Sequence, residues 1–151
     1  MDKSILFNKL RILSEQAEFV LLSTINEDDF PETRAMLNLR NKEMFPNLQV
    51  YFADDFICYF SSNTASQKLN QILYSDKASV YYVNPKTFEG LLLKGKLEII
   101  KDKALKNDFW QDNWTMYYKG GIDDPDYSLL KFTPAEYKYY NGDFKVSSGA
   151  F

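Results

Sequence analysis

The chain has 151 residues, 45% of them hydrophobic, which suits one compact domain and is too apolar for a disordered segment. Its formal charge of −3, from 18 basic and 21 acidic residues, argues against a broad cationic face for nucleic acid but leaves room for a small anionic ligand. The absence of His removes imidazole bases, His-ligated haem and the usual zinc sites, so no metal site is expected, and the lone Cys58 excludes an intrachain disulfide.

Asp2 can cap a first helix over Lys3–Gln16, in which Ile5, Leu6, Leu10 and Leu13 recur at helical spacing with the stem of Lys9 at their border. Asn8 and Lys9 interrupt the opening apolar run before a secretory core can form, and no stretch approaches the ~20 apolar residues of a membrane span. The expectation is a soluble cytoplasmic protein with no membrane partner. Phe19–Ile25 reads as a strand, Asn26–Pro31 as a polar turn and Thr33–Leu39 as a second strand. After Pro46 the pattern predicts strands over Leu48–Phe52 and Phe56–Ser61, joined at Asp54-Asp55.

A second helix is predicted over Ala65–Tyr74, with Leu69, Ile72 and Leu73 on one face, followed by a strand over Ala78–Val83 that Asn84-Pro85 breaks. The long strand Gly90–Ile100 contains Gly95, a signal for a bulge or barrel corner. Asp102 can cap a third helix reaching about Asp112, and the tail returns to strand over Ser128–Phe132 and Glu136–Tyr140. Strands and helices do not alternate, so a parallel doubly wound sheet is not expected. A mainly β fold is: one domain, residues 1–151, with antiparallel strands closing into a barrel and helices packed outside.

Chemistry is suggested first by Phe60-Ser61-Ser62-Asn63-Thr64-Ala65-Ser66-Gln67-Lys68, where an apolar strand gives way to hydroxyl residues. Thr64 and Gln67 have capping-box spacing, and the unpaired N–H groups of a helix start form an anion site to which Ser66 and Lys68 would add donors. The same pattern also describes an ordinary capped helix. Arg34 lies on a predicted strand and offers the planar donor fork that phosphate accepts, although alternation equally permits it to face outward. Trp110 and Trp114 could cover a planar ring or fill the core. Aromatic residues make up 17% of the chain, which fits either a ligand cleft or ordinary β packing.

Taken in order, Glu32-Thr33-Arg34-Ala35-Met36, Tyr59-Phe60-Ser61-Ser62, Ser66-Gln67-Lys68, Lys94-Gly95-Lys96-Leu97-Glu98, the Trp-bearing helix end and Asp124-Pro125-Asp126-Tyr127 resemble the pyridoxamine 5'-phosphate oxidase-like split β-barrel superfamily. The branch they resemble is the one around general stress protein 26. That resemblance implies a homodimer holding two FMN molecules between its subunits. Arg34, Ser66 and Lys68 would hold the phosphate; Met36, Tyr59, Phe60, Ser61 and Ser62 would line the isoalloxazine, partly through backbone groups. Trp110 would approach the ring from the partner chain. It further implies a flavin-dependent oxidoreductase, with a non-catalytic flavin carrier, or a binder of FAD or a deazaflavin, as alternatives. No catalytic residue is assigned. The family's usual Gly before the Arg strand is replaced here by Asp28-Asp29-Phe30, and the tail lacks a counterpart of the residues that bind a pyridoxal-type substrate.

Overall fold

A computed structural model describes residues 1–143 and 145–151. Helix α1 (Lys3–Gln16) begins where expected, the Asp2 carboxylate accepting from the Ser4 N–H at 2.7 Å. Leu6, Leu10 and Leu13 are buried along its inner face, whereas Ile5 stays exposed. Strands β1 (Phe19–Ile25) and β2 (Pro31–Leu37) form a hairpin whose register places Arg34 opposite Leu22. The turn between them needs a left-handed residue, and Asp29 supplies it at φ 64°.

The expected strand over Leu48–Phe52 is instead a 3-10 turn, Pro46–Tyr51. Pro46 presets the first turn, and of its residues only Leu48 is buried, Val50 being largely in solvent. Gln49 completes the turn by donating to the Phe45 carbonyl at 2.7 Å. Arg40, buried, then ties the following loop down through the carbonyls of Ile57 and Ala53 and an ion pair with Asp55 at 3.1 Å. Strand β3 starts only at Cys58 and runs to Asn63, since Phe56 sits at φ 57°, outside strand geometry.

Helix α2 (Gln67–Tyr74), β4 (Lys77–Val83) and β5 (Gly90–Ile100) follow the sequence pattern closely. Helix α3 (Lys103–Phe109) is capped by Asp102 but stops short of Asp112, where a 3-10 turn over Asp112–Met116 takes over. The two expected C-terminal strands are one, β6 (Tyr127–Tyr140), because both halves pair with β5. The register slips between Lys94 and Gly95, which pair with Glu136 and Pro134 and so skip Ala135 of β6; Gly95 does mark a bulge. The last strand, β7 (Val146–Ala150), has no hydrophobic alternation in its sequence and is held by pairing with the second half of β6.

Among the described residues all pairings are antiparallel, in the order β2-β1-β4-β5-β6-β3 with β7 on β6. The sheet curls until its edge strands β2 and β3 touch without forming a ladder, which is the split of a split β-barrel. Its interior is filled by residues such as Leu10, Leu22, Phe60, Val80, Leu93 and Phe132. A second cluster, including Leu39, Leu48, Phe109, Trp114, Tyr118 and Tyr127, packs outside β3 and β6. None of the described helices is long and apolar enough to cross a membrane.

Candidate functional site: two cations where the barrel splits

On β2 the residues alternate between solvent and barrel, Thr33 and Ala35 being exposed while Glu32, Arg34 and Met36 are half-buried. Arg34 therefore faces inward, one of the two placements its sequence allows. Its Nη1 donates to the Leu22 carbonyl at 3.2 Å and to Thr24 Oγ1 at 2.7 Å, and its Nη2 donates to Gln71 Oε1 at 3.1 Å. Gln71 belongs to α2, so the strand-borne guanidinium and the middle helix meet. Thr24 also donates to Gln71 Oε1, and Gln71 Nε2 donates to Glu32.

Lys68 lies one helical turn before Gln71 on the same side of α2 and is half-buried. Burial, and secondarily the charge of Arg34, lower its pKa from the ordinary 10.5. Burial likewise lowers the pKa of Arg34, with Glu32 opposing it. Among the described residues neither cation lies within ion-pair distance of a carboxylate. Two like charges partly withdrawn from water and brought together are unfavourable in themselves and favour an anion between them.

The start of α2 adds donors. Ser66 is the N-cap residue, in extended conformation, yet its side chain makes no capping bond; its Oγ instead lies 3.5 Å from Ser62 Oγ. The expected capping box is absent because Thr64 is engaged elsewhere, donating to the Pro125 carbonyl at 2.9 Å and bonding Ser128 Oγ at 2.7 Å. Asn63 and Ala65 are tied to Asp126 in the same way. The Asp-Pro-Asp-Tyr segment thus anchors the strand-to-helix turn, leaving the first N–H groups of α2 without a side-chain cap. This donor set (a guanidinium, an ammonium, two hydroxyls and an uncapped helix start) suits a phosphate dianion.

A family model of proteins like pyridoxamine 5'-phosphate oxidase matches residues 9–149. The chain belongs to this family. Among solved structures, a Clostridium acetobutylicum protein related to general stress protein 26, of the pyridoxine-phosphate oxidase family, is 28% identical with a TM-score of 0.82, covering 100% of this chain and 97% of its own. A pyridoxamine 5'-phosphate oxidase-related FMN-binding protein of Nostoc punctiforme shares the fold at 15% identity and TM-score 0.65, covering 100% and 98% of the two chains. A heme-binding protein of Mycobacterium smegmatis shares it at 13% identity and TM-score 0.69, over 95% of this chain and 57% of its own. No curated protein matches the chain in sequence.

The remaining expected site residues of this pyridoxamine 5'-phosphate oxidase-like chain fall into four groups. Met36 packs against the barrel core beside the Arg34 network. Tyr59 and Ser61 alternate onto the other face of β3, Tyr59 stacking on Phe109 at 4.5 Å and Ser61 lying on the side of the Tyr118 hydroxyl. Phe60 points into the barrel and is buried, so only its backbone is available to a ligand. Trp110 is half-buried within its own chain's aromatic cluster, its centroid 5.3 Å from Tyr127 and 6.0 Å from both Trp114 and Tyr118. Thr24, Glu32 and Gln71 were missed in the sequence. Only their spacing hinted at them: Glu32 shares a strand face with Arg34, and Gln71 a helix face with Lys68.

Proposed function

We propose that the chain binds FMN non-covalently in clefts of a homodimer and serves as a flavin-dependent oxidoreductase. The observation that carries this reading is that Arg34, bonded to Gln71 of α2, and Lys68, one turn earlier on that helix, are two half-buried cations close enough to feel each other's charge, on a helix whose start has no side-chain cap. Arg34, Ser66, Lys68 and the first N–H groups of α2 would hold the phosphate. Met36, the backbone of Tyr59–Ser62 and Ser62 itself would line the flat ring, and a partner's half-exposed indole at position 110 would cover it. The bound isoalloxazine would supply the electron chemistry, which suits a chain without His, since no side-chain proton relay need be encoded. The Nostoc relative supports FMN among the possible cofactors. The Mycobacterium relative shows that the fold also accommodates haem, but this chain has no His to ligate it.

Large apolar side chains left in solvent, among them Phe30, Leu73 and Met116, support a second subunit. The test is the visible spectrum of protein purified without added cofactor, followed by FMN titration. A yellow protein, or one that takes up FMN stoichiometrically, is expected. Colourless protein that quenches no FMN fluorescence overturns the reading. Turnover with a reduced nicotinamide nucleotide separates the enzyme from a carrier, and mass spectrometry of the released ligand separates FMN from FAD or a deazaflavin.

A further inference from the structure

The Arg34 guanidinium is not held by a carboxylate but by an amide, and that amide is itself oriented. Glu32 can only accept hydrogen bonds, so the Gln71 amide must turn its Nε2 toward Glu32 and its Oε1 the other way. The Oε1 then accepts from Thr24 and from Arg34 Nη2. A flipped amide would aim its N–H groups at Arg34, which has no acceptor, and would leave Glu32 facing a carbonyl. Thr24 and Gln71 are 1% and 5% exposed, so water offers neither of them a ready substitute.

The arrangement commits three of the five guanidinium N–H groups: two on Nη1 and one on Nη2. Among the described residues Nε–H and the second Nη2–H have no acceptor, a neighbouring pair suited to two oxygens of one phosphate. Gln71 also stands between Glu32 and Arg34, so the acid does not form the direct ion pair that would neutralise the cation.

We propose that Gln71, its amide oriented by Glu32, is a positioning residue that fixes the Arg34 fork toward the phosphate of the ligand and keeps Glu32 from claiming it. The proposal rests on the FMN reading, and two measurements keep the two apart. The first compares FMN with riboflavin, which lacks the phosphate, in wild type and in Gln71→Met, a variant of similar volume. The expected loss of FMN affinity is about tenfold with riboflavin affinity little changed, while the melting temperature should fall because Thr24 and Arg34 lose a buried partner. A general structural role would instead weaken both flavins alike, and an unchanged ratio of the two affinities overturns the proposal.

The second measurement needs no flavin. The Arg34 Nη2–H resonance of the proton that Gln71 accepts should be sharp and slow to exchange in the wild-type protein, and in Gln71→Met it should average with solvent. An averaged wild-type resonance overturns the positioning role even if Gln71→Met fails to fold. A sharp resonance in a protein that binds neither flavin overturns the FMN reading alone.

Discussion

At Lys68, burial and the neighbouring Arg34 both disfavour the charged amine, and they lower its pKa from 10.5. The sign of two consequences follows. Without ligand, charge on Lys68 costs the fold stability below the lowered pKa, and that cost disappears as pH rises toward 10.5. A bound dianion favours the protonated amine, so FMN affinity should fall as pH rises through the lowered pKa. Fluorescence titrations from neutral to alkaline pH check this, and Lys68→Met should remove the slope. The same variant should melt higher than wild type without flavin, by about 2 °C, yet bind FMN more weakly. Arg34→Ala should weaken FMN binding by about 1.5–3 kcal/mol, the scale of a charged hydrogen bond. It should also lower stability, because Thr24 and Gln71 lose a buried partner. Cys58 is buried against the Tyr82 hydroxyl at 3.0 Å, and burial raises its pKa, Arg40 partly offsetting this. It should react with a thiol reagent only at the rate of unfolding.

Among the elements, those with strong local signals were legible. The inner face of α1 at Leu6, Leu10 and Leu13 and the bulge at Gly95 follow directly from their residues. A Cβ at Gly95 would lie 2.0 Å from the Thr133 carbonyl oxygen and 2.8 Å from Pro134 Cα, both backbone atoms of β6. Gly95→Ala should therefore destabilise by roughly 2 kcal/mol or more in urea unfolding, as overpacking against an atom that cannot rotate away does. Elements set by distant partners were not legible. The Pro46–Tyr51 turn carries a strand-like run of apolar residues but no neighbouring strand edge. β7 carries no pattern and exists because β6 offers it an edge. The capping box at Thr64 and Gln67 fails for the same kind of reason, its hydroxyl being taken by a segment more than sixty residues away. Asp29 lies in the Asp28-Asp29-Phe30 turn and takes a positive φ that Gly would adopt without strain; here Tyr74 donates to its carboxylate at 2.7 Å.

For the whole molecule, the curl of the sheet brings β2 and β3 edge to edge, and α2 follows β3 across to β1 and β2. If the cofactor site is shared between subunits, sedimentation should give a particle of twice the 17.7 kDa chain. Dilution to monomer should then release FMN. A monomer that retains FMN would remove Trp110 of a partner from the site. What the sequence by itself determined was the antiparallel β character, the family, and the identity of Arg34, Ser66 and Lys68 as phosphate candidates. Those rest on local pattern and on motifs whose order survives in one dimension. Only the tertiary structure decided that Arg34 faces inward, that Phe60 is core while Tyr59 and Ser61 face the second cluster, and that Thr24, Glu32 and Gln71 hold the guanidinium. Period-2 alternation leaves the buried face of a strand open until a register is chosen, and a side-chain network spanning three elements has no signature in any one of them.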